Sequence, residues 1–181
     1  KAIKDAYFWF EKAANQGHAG AQNEIGLIYL MGLGVQGDVQ RATEWFQKAA
    51  EQGDANGQLN MGTIAIDPKT RVEWYEKAAK QGNVDAQYHL GWAYLYGQGI
   101  KQNDAKALAW YEKAVEQGYA DAQYDLGSMY LHGQVVNKDH NKAVELYEKA
   151  AEQGNVLAQN TLGVMYLEGE VVDQDNIQAF E

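Results

Sequence analysis

Ser128 is the only serine in the chain, and His132 follows it by one helical turn. A hydroxyl beside an imidazole is the minimal nucleophile–base pair, with Asp125 and Glu168 as the acids available to orient it. If it is put to use, the chain is a small-molecule binder or hydrolase of the β-lactam or ester type. No nucleophile-elbow or Ser-x-x-Lys signature accompanies the pair, which argues for a non-enzymatic chain. His89 with Asp125, and His132 with Glu168, are spaced alike and are candidates to approach each other. A metal needs three or more convergent ligands, so polar surface contacts are the expectation for these pairs, with neither metal nor cofactor. Gly97-Gln98-Gly99 closes a helical stretch, whereas a phosphate cradle opens one. Cysteine is absent, which excludes disulfides and thiolate metal sites and leaves the redox compartment open.

The elements that would hold these side chains repeat. Gln-Gly recurs at Gly17, Gly53, Gly82, Gly118 and Gly154, with spacings of 36, 29, 36 and 36 residues. Each pair leads into a small-Gln-x-x-apolar-Gly unit, for example Ala86-Gln87 with Leu90-Gly91 and Ala122-Gln123 with Leu126-Gly127. A fixed period of this length specifies a solenoid whose units stack only on their neighbours. In residues 84–119, helix formers run from Val84 to the break at Gly97. Asn103, placed like Asp38, Asp139 and Asp175, then caps a second helix that Gln117-Gly118 ends. The fold expected is all-α, an α–α superhelix of about five antiparallel helix pairs. The 181 residues form one repeat domain: a partial repeat 1–18, repeats 19–54, 55–83, 84–119 and 120–155, and a partial repeat 156–181. The chain opens and stops in mid-pattern, as a piece of a longer array would.

Recurring letters mark the core. Ala86, Leu90 and Tyr94 fall four apart, as do Ala122, Leu126, Tyr130 and Ala158, Leu162, Tyr166. The glycine beside the leucine leaves room for a close neighbour. Trp45-Phe46, Trp74-Tyr75 and Trp110-Tyr111 precede small residues, so these tryptophans are expected to pack. Glu44/Lys48, Glu73/Lys77 and Glu145/Lys149 are expected to form i,i+4 pairs.

The string Val-Glu-Trp-Tyr-Glu-Lys-Ala-Ala-Lys-Gln-Gly-Asn-Val-Asp-Ala-Gln-Tyr-His-Leu-Gly-Trp-Ala-Tyr-Leu-Tyr-Gly-Gln-Gly-Ile, residues 72–100, closely resembles the Sel-one-like repeat (SLR) family, relatives of tetratricopeptide repeats. The resemblance implies a right-handed superhelix whose first helices line a concave groove. It also implies a role as an adaptor that gathers proteins, and it leans toward a bacterial exported protein. A cysteine-rich, disulfide-stapled branch linked to penicillin-like compounds is a poor match for a chain without cysteine. The sequence departs from the pattern where Val135 and Val171 replace a loop glycine, a change expected to alter turn geometry. The second repeat is also seven residues short: Ala65 stands for the tyrosine, and Ile66 runs into Asp67-Pro68, a strong helix start. The shortening is either a harmless loop deletion or a change of pitch that divides the groove.

Residues two places from the core stripe point roughly 200° round the helix axis. These groove candidates are Asn23, Leu27 and Met31; Tyr88, Trp92 and Tyr96; Tyr124, Ser128 and His132; and Asn160, Val164 and Glu168. Unlike the core they differ in every copy, and the aromatics Tyr88, Trp92, Tyr96 and Tyr124 are the expected anchors. Leu30, Leu95, Leu131 and Leu167 are expected to be interior. The expected partner is a protein, held as a peptide or helix, with Glu24, Asp125 and Glu168 favouring neutral or basic segments. A net charge of −10 disfavours nucleic acid and anionic membranes. No apolar stretch approaches a bilayer span, no signal peptide is read, and self-association through apolar end faces is a further possibility.

Overall fold

A computed structural model describes residues 2–169. Ten helices fill them: α1 Ala2–Asn15, α2 Ala19–Met31, α3 Val39–Glu51, α4 Ala55–Ile64, α5 Pro68–Lys80, α6 Val84–Tyr96, α7 Asp104–Glu116, α8 Ala120–His132, α9 His140–Glu152 and α10 Val156–Glu168. No strand occurs among the described residues. Two compact units result, Lys1–Asn103 with α1 to α6 and Asp104–Glu181 with α7 to α10. Within each unit, every helix packs on the next in chain order, the nearest-neighbour stacking of a helical solenoid.

Helix starts follow the polar caps. Asp38, Asp67 and Asp139 each accept from the backbone N–H three residues on, and Pro68 occupies the first turn of α5. Asp175 and Val171 lie outside the described residues. After the second helices, Gly53, Gly82 and Gly154 take φ of 89°, 91° and 87°, which glycine enters without strain. The turn after α8 corrects the expectation for Val135. Gly34 and Gly99 hold φ of 73° and 75°, and Val135 holds 67°. The turn geometry is kept, so the β-branched side chain bears the strain instead.

The repeated letters pack as their spacing implies. Ala86, Leu90 and Tyr94 are buried on α6, as are Ala122 and Leu126 on α8 and Ala158 and Leu162 on α10. Tyr130 is half-buried, and Tyr166, on the last described helix, stays exposed with its hydroxyl donating to Glu148. Phe46, Tyr75 and Tyr147 are the buried partners from α3, α5 and α9. Their rings lie where a side chain at the helix glycine would be: a Cβ at Gly26 would meet Phe46 at 2.5 Å, and one at Gly62 would meet Tyr75 at 2.5 Å. The glycine after the apolar residue is therefore a slot for an aromatic edge.

The recurring glutamines form a latch between repeats. Buried Gln22 donates Nε2 to the Ala14 carbonyl of α1 (3.2 Å), and its Oε1 accepts from Gln52 at the end of α3 (2.6 Å). Gln58 repeats this with the Ala50 carbonyl (3.3 Å) and Gln81 (2.8 Å). In the second unit Gln123 accepts from Gln153 (2.8 Å). Each amide thus ties its own helix to the helix before it, the helix after it, or both.

Two of the three expected Glu/Lys pairs are replaced. Lys48 and Lys77 sit 4.0 Å and 3.9 Å above the rings of Trp45 and Trp74, and Lys113 sits 4.1 Å above Trp110. Only Lys149, which has Leu146 in place of a tryptophan, reaches its glutamate, Glu145, at 2.6 Å. A cation–π contact of about 0.5–1 kcal/mol outweighs an exposed i,i+4 pair of about 0.3–0.5 kcal/mol. The tryptophans are accordingly half-buried, packed on one face and capped by lysine on the other.

Two stability predictions follow from these contacts. Gln58→Leu should cost about 1–3 kcal/mol in denaturant unfolding, because the hydrogen bond to the Ala50 carbonyl and the one from Gln81 are both lost. Val135→Gly should gain about 1 kcal/mol by the same measurement, because relief of left-handed strain exceeds the added unfolded-state entropy.

Candidate functional site: a cleft beside the short repeat

The short second repeat changes two positions at once. Helix α4 has ten residues, against thirteen in α2, α6, α8 and α10, and it ends at Ala65 where α2 carries Tyr29 and α6 carries Tyr94. On α5, Arg71 stands at the position that α3, α7 and α9 fill with the fully buried Ala42, Ala107 and Ala143. A large ring has been lost from the first helix and a large cation gained on the second. Arg71 Nη2 donates to the Ala65 carbonyl at 2.9 Å, taking up an acceptor left by the early end of α4.

A cleft of about 490 Å³ opens here, within the first unit. Thr63 of α4 and Pro68, Arg71, Val72 and Tyr75 of α5 form one wall. Tyr88, His89, Trp92 and Ala93 of α6, with Gln98 beyond its end, form the other. His89 stacks on Tyr75 with ring centroids 5.0 Å apart and planes 17° from parallel. Burial depresses the affinity of this imidazole for a proton and the Arg71 charge adds to the effect, while Asp85 opposes it. Arg71 is therefore the charged group of the lining at neutral pH. At the mouth, Trp92 (42% exposed) leans on Tyr96 (58% exposed), with centroids 5.0 Å apart.

Tyr88, Trp92 and Tyr96 thus lie together, two of them on the cleft wall, with Arg71 and His89 as neighbours that the stripe reading missed. The missed signal was the alanine-to-arginine exchange at residue 71, legible only by comparing second helices. The other stripe residues scatter. Asn23 is buried and accepts from Asn60 Nδ2 at 2.8 Å, so it serves the stacking of repeats rather than an open face. Leu27 is half-buried and Met31 is 63% exposed. In the second unit Tyr124 is half-buried against the Tyr147 ring (5.4 Å), and Asn160 and Val164 are exposed. Glu168 closes α10, and its side chain lies outside the described residues. Leu30, Leu95 and Leu131 are half-buried, whereas Leu167 is exposed.

Ser128 and His132 do not form a nucleophile–base pair. The Ser128 hydroxyl bonds to the Tyr147 hydroxyl at 2.9 Å, and His132 Nδ1 meets the Ser128 backbone carbonyl oxygen at 2.9 Å. Residues four apart on a helix bring the ring back over the preceding turn's carbonyl, and the buried phenol claims the hydroxyl. Among the described residues no three His, Asp or Glu side chains gather as a metal site, and no helix is long and apolar enough to cross a membrane.

The Sel1 repeat profile matches residues 2–18, 19–54, 67–83, 84–119, 120–155 and 156–181. The chain belongs to the Sel1 repeat family. Sel1 repeat proteins generally mediate protein–protein interaction and are typically non-catalytic. The chain is similar to a Sel1 repeat protein from Oxalobacter formigenes, at 34% identity over 97% of this chain and 75% of that one, with a TM-score of 0.89. It is also similar to a protective antigen of uropathogenic Escherichia coli with an SLR fold, at 37% identity and a TM-score of 0.82. That match covers 93% of this chain and 38% of the antigen. Cysteine-rich protein B of Helicobacter pylori is more distant, at 26% identity over 67% of this chain and 92% of that one, with a TM-score of 0.56. No curated protein sequence matches significantly. The profile leaves out residues 55–66, which span α4 and its early end. The cleft adjoins this unmatched segment, which contributes Thr63 to its lining.

The His89 environment sets a pH dependence. The unfolded chain takes up the proton near pH 6.5 more readily than the folded one. Stability owed to neutral His89 is complete above that value and is lost as pH falls through the lower folded value. Denaturant midpoints should therefore drop more for the wild type than for His89→Phe, which keeps a stacked ring, between pH about 7.5 and about 5.5.

Proposed function

We propose that this chain is a non-enzymatic adaptor that holds a peptide segment of a partner protein along its first helices, anchored at the cleft between α5 and α6. The observation that carries this reading is the Trp92–Tyr96 pair, in tilted ring contact and solvent-exposed at the cleft mouth. Large aromatics left wet at the edge of a concave site are the side chains that dominate partner binding elsewhere. Family membership supports the interaction role, and the bonded Ser128 hydroxyl gives the hydrolase alternative no footing.

Both aromatics are surface residues, so Trp92→Ala with Tyr96→Ala is expected to leave helicity unchanged by circular dichroism. Comparative affinity capture with mass spectrometry should show a specific partner depleted about tenfold or more by the double variant. A partner retained equally by both proteins would remove the cleft from the interaction.

A further inference from the structure

We infer that the cleft recognises a free C-terminal carboxylate on a peptide whose last residue is apolar or aromatic. This rests on the partner-binding reading above and names the end of the partner that enters. Arg71 has five N–H donors and spends one on the Ala65 carbonyl, which holds the guanidinium by one edge. The remaining donors belong to a side chain that lines the cleft, where the matching alanines of other repeats have none. The lining also carries the His89 imidazole and the Gln98 amide, with a Thr63 hydroxyl that donates to the Leu59 carbonyl, and it contains no Asp or Glu. A wall with one cation and no carboxylate fits a monoanion, in a chain whose net charge is −10. This is the reverse of the neutral or basic partner that the acidic residues of the sequence favour.

The planar guanidinium fork matches a carboxylate in bidentate geometry, whereas a phosphate dianion would ask for a second cation. Val72, Ala93 and Trp92 supply apolar surface in the same cavity, and about 490 Å³ falls within the range of small-ligand sites. A chain terminus puts a carboxylate and a side chain on one Cα, the juxtaposition that Arg71 and this apolar wall call for. The size exchange explains how the site arises. Removing the tyrosine ring at Ala65 makes space beside α5, and Arg71 enters it instead of lying against a packed helix.

The test is selection from a random hexapeptide pool with free C-termini, against the same pool amidated, on the immobilised full chain. The free-acid pool should yield peptides enriched in apolar or aromatic last residues, retained at least about tenfold better than the amidated pool. Arg71→Gln should abolish that preference, and Arg71→Lys, which keeps the charge without the fork, should retain part of it. Melting curves identify any variant that fails to fold. Equal retention of both pools, enrichment of internal acidic residues, or an unchanged preference in folded Arg71→Gln would overturn the carboxylate assignment. If both pools bind equally and Trp92→Ala releases them, the partner groove stands and only the carboxylate assignment falls. If neither pool is retained, the carboxylate assignment falls, and the groove is then judged by partner capture.

Discussion

Within each unit, repeats are held together through the primary amide of a recurring glutamine, buried at Gln22, Gln58, Gln87 and Gln123. Gln22 and Gln58 each use both ends of the amide, giving a hydrogen to the carbonyl at the end of one second helix and accepting from the glutamine that ends the next. A buried amide with one end unpaired costs about 1–3 kcal/mol, so the register of three helices is fixed by whether both ends are met. Slow drift along the stack is thereby excluded: a helix displaced by one turn would strand both groups. The aromatic ring set against Gly26, Gly62 and Gly127 sets the close spacing at which the amide can reach.

Because each unit depends only on its neighbours, an irregularity can be absorbed locally. The second repeat keeps its latch glutamine and its slot, with Gln58 bonded on both sides and Gly62 meeting the Tyr75 ring, yet loses the last turn of its first helix. The consequence is confined to the space beyond that helix end, where Arg71 and Ala65 exchange bulk for charge. A globular core of similar size would redistribute such a loss across many contacts. Here it becomes a cleft.

Several residues with chemical promise turn out to be engaged by packing. Ser128 is bonded to a buried phenol, His132 to a backbone carbonyl, and Asn23 to the amide of the next repeat. Lys48 and Lys77 prefer a tryptophan face to a glutamate. In each case the competing partner lies within a turn on the same helix or on the adjacent helix. Spacing alone does not say which of its neighbours a side chain will meet. Val135 is the converse: the position demands a left-handed backbone whatever side chain occupies it.

The sequence by itself determined the helices, their caps and the core. Periodicity, small residues and polar caps are local signals that act within one or two turns. It also marked Tyr88, Trp92 and Tyr96 as unusual, since copies of one unit can be compared with each other. Only the tertiary structure decided which marked residues share a cavity. It placed Arg71 and His89 beside the aromatics, buried Asn23, and set Tyr124 against the Tyr147 ring. The reason is geometric: a side chain's exposure depends on the neighbouring helix, and the helix that matters for Trp92 belongs to a repeat of different length.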